Sequence, residues 1–369
     1  MEDNLIKLLH FEKFKPICPR CKQINGQEYF LEIRSILKKQ DDDSIVEGIL
    51  LCSNKQCMSE YPIIDGIPII VANLRTYISQ SIIPILGRND FSDTMESLVG
   101  DCFGPGSLFD SHRQQLSVYC FDHYGDFDPK ESQESPVLPG AVSSLLKQGI
   151  LPIKDKIDGP VIDIGCSVGR TTFDLAETID DIVLGVDLNF GMVKIAASVL
   201  NNGRVNYPKR RSGIIFDRRD FQVSFEKSKH VDFWVCDATD LPFSGANVSF
   251  GLSLNVVDCI SSPYDHLKEL SKILKPDGIA VISTPYDWTI SATPVESWIG
   301  GHSQRSENQG SSDIMLRSLL AGGGHPNVIE QLEILSEIEQ IPWTLRLHER
   351  SSMKYMVHIL TLHKKSDGI

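Results

Sequence analysis

Short apolar runs alternate with amphipathic stretches over residues 160–283. The runs cover residues 160–164, 182–186, 231–235, 248–254 and 279–283. Runs of this length between turn-forming residues are typical of buried strands. Residues 168–178 and 264–274 carry helical patterns between them. Because strands and helices alternate, we predict a doubly wound, mostly parallel α/β sheet of the Rossmann-like type with right-handed crossovers.

The pattern divides the chain into three regions. Residues 1–75 hold paired cysteines, residues 76–150 are irregular and predict a partly helical lead-in or lid, and residues 151–369 contain the α/β pattern. Residues 354–363 predict a late strand that can run antiparallel. A sheet of this kind binds its ligand at the carboxyl ends of its strands.

Composition is that of a globular protein. Hydrophobic residues make up 41% and charged residues 23% of the 369 positions, which is close to the averages for folded domains. The formal charge is 36 minus 49, or −13. Because an acidic surface repels phosphate backbones, nucleic acid is disfavoured as a partner.

Neither a leader nor a membrane segment is expected. The chain starts Met1-Glu2-Asp3, and no stretch approaches the roughly eighteen apolar residues of a membrane span. We therefore expect a soluble, cytoplasmic protein without a membrane partner. In a reducing compartment, ordered cysteines are interpreted first as metal ligands.

Four of the nine cysteines form two close pairs. Cys18 and Cys21 enclose two residues, Cys52 and Cys57 enclose four, and thirty residues separate the pairs. Two such knuckles predict one structural zinc site, because four thiolate ligands leave no open position for water. The alternative is four ordinary cysteines that never meet.

The second pair is followed by the sequence YPIIDGIP at residues 61–68. Together with the four cysteines, this stretch resembles the small zinc-ribbon activator family that partners tRNA, rRNA and release-factor methyltransferases. The resemblance implies a docking or stabilising module. The module would dock either on a protein partner or on the rest of its own chain.

A glycine-rich turn follows the first predicted strand. It comprises Asp163, Gly165, Cys166, Ser167 and Gly169. Glycines at this place let a ligand approach the backbone closely. The three-glycine pattern of dinucleotide sites is absent from this turn, which argues against a nicotinamide cofactor. A single glycine turn is also often just a tight connection between strand and helix.

An acidic residue, Asp187, ends the second strand, twenty-four residues after Asp163. A carboxylate there can accept hydrogen bonds from both hydroxyls of a ribose, although a lone strand-end aspartate is often a helix cap. The turn and Asp187 together resemble class I S-adenosylmethionine-dependent methyltransferases, with Ser167 at the position of their middle glycine. Residues 274–278 resemble the turn before that family's fifth strand.

The resemblance implies S-adenosylmethionine as the cofactor. It also implies that Asp237, after the third long strand, faces the adenine amine. The expected cofactor-binding set is completed by Leu188, Ala238 and Asn255.

Several stretches resemble one subfamily, the methyltransferase domain at the C-terminal end of ovothiol-forming sulfoxide synthases. They are residues 163–173, 254–258, 283–288, 293–301 and 341–350. The resemblance implies methylation of an imidazole nitrogen of a thiolated histidine. A zinc ribbon stands where that family has an iron-dependent region. The acceptor is therefore left open between mercaptohistidine, another small imidazole or amine, and a histidine-like group on a larger partner.

Methyl transfer from a sulfonium gains chiefly from proximity and from aromatic walls that exclude water and attract the cation. Tyr286 and Trp288 follow the last predicted parallel strand, and Trp298 lies in the next loop. We predict that these aromatic residues form the acceptor pocket, with Tyr286 taking part in catalysis. The alternative is hydrophobic packing beneath a long loop.

An imidazole N–H must also lose its proton, so a base is expected. Asp258, after the fourth strand, is the candidate catalytic base, and His123 and Tyr124 are candidate substrate-binding residues of the lid. Arg350 is available to an amino-acid carboxylate. The alternatives are that His123 packs between aromatic neighbours and that Arg350 is a solvated surface charge.

A basic stretch supports a competing hypothesis. Lys209, Arg210, Arg211, Arg218 and Arg219 would lie close together on a hairpin. The enzyme would then methylate tRNA or a translation protein, with these cations on phosphate. A third hypothesis is a non-catalytic, methyltransferase-like scaffold that binds a protein partner. The intact cofactor motif and the acidic chain favour an enzyme that acts on a small molecule.

Overall fold

The computed structural model describes residues 6–40, 44–88, 90–132, 134–306, 308–320 and 325–366. Its main feature is a mixed sheet of eleven strands with helices on both faces, accompanied by a separate two-stranded hairpin. The predicted α/β class is confirmed, because the strands in the middle of the sheet are parallel.

The N-terminal region forms one edge of the large sheet. It comprises α1 (Ile6–Phe14), α2 (Pro19–Asn25), β1 (Leu31–Lys39), β2 (Ile45–Cys52), β3 (Glu60–Ile64) and β4 (Ile67–Ile70). These four strands pair antiparallel in chain order. Asp65 and Gly66 make the tight turn between β3 and β4 with φ of 53° and 80°, a region that glycine adopts without strain.

The lead-in is largely helical, as the sequence predicts. Its helices are α3 (Leu74–Gln80), α4 (Ile82–Leu86), α5 (Asp93–Phe103), α6 (Leu108–Tyr124) and α7 (Ala141–Ile150). Ser92 and Ser107 begin α5 and α6 as N-caps, since their hydroxyls accept hydrogen bonds from Met95 N and Asp110 N.

The C-terminal part follows the predicted alternation. Its elements are β5 (Val161–Ile164), α8 (Arg170–Thr178), β6 (Val183–Asp187), α9 (Phe190–Asn202), β7 (Arg204–Ser212), β8 (Ile215–Gln222), β9 (Val231–Cys236), β10 (Val248–Leu254), α10 (Pro263–Ile273), β11 (Leu274–Thr284), α11 (Ser312–Leu320), β12 (Leu332–His348) and β13 (Ser351–Lys364). Strand β13 runs antiparallel between β11 and β12. The late strand is thus confirmed, whereas β12 is not among the strands that the sequence pattern predicts.

The N-terminal and C-terminal parts share one sheet, in the order β1-β2-β3-β4-β9-β6-β5-β10-β11-β13-β12. Strand β4 pairs parallel with β9, with Ile69 opposite Val235 and Ile70 opposite Cys236. An unpaired strand edge is a template for association with other chains. Here β4 covers that edge of β9, so the N-terminal region docks on its own chain.

Alternate residues of each strand face opposite sides of the sheet. In β9, Val231, Phe233 and Val235 belong to the core beneath α6–α9, whereas Trp234 and Cys236 belong to the core beneath α1, α10 and α11. Burial on both faces explains the uninterrupted apolar runs of the parallel strands. None of the described helices combines the length and apolar character needed to span a bilayer.

Candidate active site

A cavity of about 570 Å³ lies at the carboxyl ends of the parallel strands, where this type of fold binds ligands. It brings together most of the predicted cofactor residues. Those on its wall are Asp163, Gly165, Ser167, Asp187, Leu188, Asp237, Ala238 and Asn255. Carboxylates from the ends of three different strands therefore face one cavity.

The turn after β5 requires a left-handed backbone at three positions. Gly165, Ser167 and Gly169 have φ of 77°, 53° and 92°. A Cβ on Gly165 would lie 2.3 Å from Val256 Cγ2, and one on Gly169 would lie 2.6 Å from Ala196 Cβ. Glycine is therefore required at both ends of the turn. Ser167 keeps the same turn at a position where a side chain costs some strain.

Two predicted cofactor residues do not lie on the cavity wall. Cys166 points its thiol into the core with 1% exposure, and burial raises the pKa of that thiol well above its usual range. Gly169 begins α8 and packs against the ring of Phe233. Both residues therefore support the turn from its core side, opposite the cavity.

Asp163 is a carboxylate at the end of β5, and only 2% of it is exposed. Its Oδ2 accepts hydrogen bonds from the hydroxyls of Thr171 and Thr172, both at 2.7 Å. Burial raises the pKa of Asp163 to about 6, although these two hydrogen bonds act in the opposite direction. The bonds tie the end of the strand to the first turn of α8.

Asp187 is positioned by two backbone amides. Its Oδ2 accepts a hydrogen bond from Ser167 N at 2.9 Å, and its Oδ1 accepts one from Asn189 N at 2.7 Å. Burial raises the pKa of Asp187, and the amides oppose that shift. Each carboxylate oxygen has a further lone pair, so the group can still accept two hydroxyl donors from a ligand.

Asp237 and Asn255 complete the polar wall. Asp237 Oδ1 accepts hydrogen bonds from Thr239 N at 2.8 Å and Thr239 Oγ1 at 2.7 Å. Asn255 Oδ1 accepts a hydrogen bond from Ser283 Oγ at 2.8 Å, but its Nδ2 is buried without a hydrogen-bond partner in the described part of the chain. An unpaired buried amide is costly, and Asn255 lies on the cavity wall.

Another part of the wall comes from α6 and β12, and among these wall residues the sequence predicts only His123 as a site residue. Gln115, Tyr119 and His123 follow one another at four-residue spacing in α6 and all line the cavity. Trp343 lines it from β12; its Nε1 donates to Asp122 Oδ2 at 3.0 Å. The spacing in α6 was an available signal, because residues four apart share a helix face. No local sequence pattern predicts that Trp343 lies on the cavity wall.

The structure does not bring Asp258 to the cavity wall. Asp258 is 1% exposed, and its carboxylate accepts hydrogen bonds from Thr284 Oγ1 at 3.0 Å and Asp287 N at 2.7 Å. Burial raises the pKa of Asp258 to about 6. Both oxygens brace the turn after β11, a geometry that favours a positioning role over the predicted role as base.

The predicted aromatic acceptor pocket is not part of the cavity either. Tyr286 forms a hydrogen bond of 2.7 Å between its hydroxyl and Nδ1 of His358. Trp288 and Trp298 stack with ring centroids 6.1 Å apart, and both indole N–H groups donate to protein oxygens. Tyr286 and Trp288 pack on the core beneath α10 and α11. These aromatic residues therefore pack beneath a loop, which is the alternative to an acceptor pocket.

Of the three remaining candidate substrate-binding residues, only one lies on the cavity wall. His123 lies on the cavity wall. Tyr124 is buried behind it, and its hydroxyl donates to Val168 O at 2.7 Å. Arg350 is exposed in the turn between β12 and β13, outside the cavity wall, so it is not placed to hold an acceptor carboxylate there.

The predicted hairpin of basic residues is confirmed as β7 and β8, but its cations are paired within the chain. Lys209 and Arg219 both contact Glu131, and Arg219 also pairs with Asp128 at 2.6 Å. Of the others, Arg210 donates to Gln114 and Gly213, Arg211 pairs with Asp217, and Arg218 pairs with Asp93 and Glu96. Four of the five cations are thus paired with carboxylates, and paired cations offer little to a phosphate backbone.

The four N-terminal cysteines converge. Their sulfurs lie within 4.8 Å of one another, with Cys18 and Cys57 at 3.9 Å and Cys21 and Cys52 at 3.8 Å. Four sulfurs around a tetrahedral zinc ion, each bonded at about 2.3 Å, would lie about 3.8 Å apart. The Tyr61 hydroxyl lies 3.2 Å from Cys18 Sγ. This set of donors fits a tetrahedral ion.

The N-terminal region and the lead-in each support one loop of the cavity. Lys22, adjacent to Cys21 in α2, donates to Leu241 O at 2.9 Å and pairs with Asp240 at 2.9 Å. The Tyr77 hydroxyl of α3 donates to Leu188 O at 2.8 Å. The loops that follow β9 and β6 are therefore held from outside the α/β part.

Comparison with known proteins gives one family match. Residues 162–282 match a family described as a methyltransferase domain. Solved structures also resemble this chain. A protein from a study of the conversion of a disulfide bond into a thioacetal group during echinomycin biosynthesis is 16% identical over 62% of this chain and 83% of that chain, with a TM-score of 0.39.

Two further solved structures are similar to this chain. A SAM-dependent methyltransferase from Methanosarcina mazei is 16% identical over 59% of this chain and 98% of that chain, with a TM-score of 0.38. A chain in the complex between the Haloferax volcanii Trm112 methyltransferase activator and a methyltransferase is 15% identical over 60% of this chain and 91% of that chain, with a TM-score of 0.35.

Proposed function

We propose that this chain, an S-adenosylmethionine-dependent methyltransferase by its domain at residues 162–282, methylates a nitrogen of a small molecule. We infer an imidazole or a histidine-derived compound, such as a thiohistidine, as the acceptor. The observation that carries the small-molecule part is the cavity wall. Among the residues that the structure describes, no lysine or arginine lines it, whereas a phosphate-rich acceptor would require cations.

The proposal assigns each polar group on the wall a part of the cofactor. Asp187 accepts hydrogen bonds from the ribose hydroxyls, and Asp237 accepts one from the adenine amine. Leu188, which is 45% exposed, offers apolar surface to the adenine. The unpaired Nδ2 of Asn255 supports this assignment, because a bound ligand would give it a partner.

The acceptor would lie against the aromatic side of the cavity. S-adenosylmethionine, when bound, supplies a methyl group on a sulfonium. Tyr119 and Trp343 exclude water from that side and hold a flat acceptor in line with the methyl carbon. The unprotonated ring nitrogen of an imidazole would form the new N–C bond, the electron pair of the broken S–C bond would remain on the sulfur, and the proton on the other ring nitrogen would be lost to solvent water. Three carboxylates on the wall favour a neutral or cationic acceptor.

We also propose that Cys18, Cys21, Cys52 and Cys57 bind a structural zinc ion. The support is the distances between their sulfurs. Four protein ligands leave no position for a substrate or water, so the ion would stabilise the fold. Because β4 is paired with β9, the proposed ribbon would act within its own chain.

The two competing hypotheses have less support. Methylation of tRNA or a translation protein depends on the cations of β7 and β8, four of which are paired with carboxylates of the chain. A non-catalytic scaffold has no need for a glycine turn under steric constraint or for three carboxylates around one cavity.

A methyl-transfer assay tests the proposal. Labelled S-adenosylmethionine would be offered with 5-thiohistidine, histidine, related imidazoles, bulk tRNA and a cell extract separated by size. Label in a small imidazole is the expected result. Label confined to RNA or protein would overturn the small-molecule acceptor, and a chain that does not bind S-adenosylhomocysteine would be a scaffold.

A further inference from the structure

His123 is a histidine whose tautomer is defined by its surroundings. Its Nδ1 accepts a hydrogen bond from the backbone N–H of Arg170 at 3.2 Å. A ring nitrogen that accepts a hydrogen bond carries no proton, so in the neutral ring the proton is on Nε2. The residue lies on the cavity wall, so Nε2 is the ring atom available to a ligand.

The ring is also held neutral. His123 is 3% exposed, and the Arg170 guanidinium donates to the carbonyl oxygen of His123 at 2.7 Å. Burial, followed by this neighbouring cation, lowers the pKa of His123 to about 3. Arg170 is itself paired with Asp126 and Asp174. At neutral pH His123 is therefore a hydrogen-bond donor at Nε2 and does not act as a base.

The position of His123 relative to the strands indicates which part of a ligand it meets. Along the sheet, β9, β6 and β5 are neighbours, and they carry Asp237, Asp187 and Asp163 at their ends. A cofactor with its adenine at Asp237 and its ribose at Asp187 extends its amino-acid tail towards β5. His123 lies at that end, because its partner Arg170 directly follows the glycine turn after β5.

The tail of S-adenosylmethionine ends in a carboxylate, which needs hydrogen-bond donors. The described cavity wall includes neither lysine nor arginine, so neutral donors must serve. Within the described residues, Nε2 of His123 has no protein partner that would compete for its proton.

We propose that His123 Nε2–H donates a hydrogen bond to the carboxylate of the methionine part of the cofactor. The assignment rests on the proposed use of S-adenosylmethionine. It places a cofactor-binding residue in α6, outside the matched domain, and moves His123 from the acceptor side to the cofactor side.

Two substitutions distinguish the role of Nδ1 as an acceptor from the role of Nε2 as a donor. His123→Asn keeps an oxygen near Nδ1 for the Arg170 amide but removes the donor at Nε2. His123→Gln keeps an amide donor near Nε2. Calorimetry with S-adenosylhomocysteine and with 5′-methylthioadenosine, which lacks the amino-acid tail, reports the effect on binding without any acceptor.

The expected result is that His123→Asn weakens S-adenosylhomocysteine binding about tenfold, the effect of one lost hydrogen bond to a charged group, and leaves 5′-methylthioadenosine binding unchanged. His123→Gln should bind both ligands like the parent protein. On the unsubstituted protein, decarboxylated S-adenosylhomocysteine should bind about tenfold more weakly than S-adenosylhomocysteine, a comparison that requires no variant to fold.

Several outcomes would overturn the assignment. The first is that His123→Asn binds S-adenosylhomocysteine as tightly as the unsubstituted protein does. The second is that His123→Asn loses affinity for S-adenosylhomocysteine and 5′-methylthioadenosine by the same factor. The third is that the unsubstituted protein binds S-adenosylhomocysteine and its decarboxylated form with equal affinity. An effect confined to the KM of the acceptor would return His123 to the acceptor side. If the unsubstituted protein binds none of these ligands, the proposed function fails instead.

Discussion

Ile70, the last residue of β4, pairs with Cys236, the residue directly before Asp237 at the cavity. One backbone ladder therefore connects the four-cysteine region with a strand whose end carries a candidate cofactor residue. Lys22 adds a second connection, because it follows Cys21 and holds Asp240 and Leu241 beyond the end of β9. The N-terminal region is thus part of the structure that shapes the cavity.

Removal of the cysteine ligands should destabilise the whole protein. We expect Cys18→Ser with Cys52→Ser to abolish zinc binding, to lower the melting temperature by more than about 5 °C and to weaken S-adenosylhomocysteine binding. Metal analysis, thermal melts and calorimetry provide the measurements. Cys102→Ser, at an exposed cysteine, is the matched control. Native protein purified without zinc would refute the metal assignment.

Asp187→Ala should remove most of the cofactor affinity while the fold remains intact. The substitution deletes the acceptor for Ser167 N and Asn189 N as well as the proposed ribose contacts. Hydrogen bonds to a charged group contribute about 1.5–3 kcal/mol each, so we expect S-adenosylhomocysteine to bind at least tenfold more weakly by calorimetry. Asp180→Ala, at a side chain with 93% exposure, should have no effect. Unchanged binding by Asp187→Ala would contradict the assignment.

Asp258 should make stability fall with rising pH. Its folded-state pKa of about 6 exceeds the ordinary value of about 3.9, so the folded protein retains a proton that the unfolded chain has lost. Between about pH 3 and pH 7, the unfolding free energy of the native protein relative to Asp258→Asn should drop by about 3 kcal/mol. Urea unfolding at several pH values measures this difference, and a constant difference would contradict the prediction.

The same variant tests the catalytic role first expected for Asp258. Because its carboxylate braces the turn after β11, Asp258→Asn should keep the shape of the pH dependence of kcat, even if its magnitude falls. Loss of an acidic limb from that profile would restore Asp258 as the base.

Glu131 should contribute more to stability than an exposed ion pair. Its side chain is 8% exposed and contacts Lys209, Arg219 and Arg346. Glu131→Gln leaves these cations without that carboxylate and should cost about 3 kcal/mol in urea unfolding. Asp217→Asn, which removes the exposed partner of Arg211, should cost less than about 1 kcal/mol. If both variants lose the same unfolding free energy, the buried network around Glu131 stabilises the fold no more than an exposed ion pair does.

Much of the proposed cofactor side could be predicted from the sequence. The spacing around two short apolar runs predicts Gly165, Ser167 and Asp187 as site residues, and all three lie on the cavity wall. Such residues are predictable because a strand and the turn that follows it lie together in the chain, and the carboxyl ends of parallel strands meet at one edge of the sheet.

The proposed acceptor side could not be predicted in the same way. Tyr286, Trp288 and Trp298 follow β11 as expected, but the structure packs them away from the cavity. Trp343, which does line the cavity, comes from β12, and Tyr119 comes from a helix that precedes β5. Residues so distant in sequence become neighbours only through the packing of side chains between layers.

The sequence by itself determined the alternation of strands and helices, the glycine turn, the strand-end carboxylates and the two cysteine pairs. Each of these depends on residues close together in the chain and on backbone geometry. Only the tertiary structure decided that β4 continues the sheet at β9, that Glu131 pairs with Lys209 and Arg219 of the hairpin, and that His123 faces the cavity while Asp258 does not. Pairing across a sheet and burial between layers join residues that are far apart in sequence, and no local pattern specifies which of them will meet.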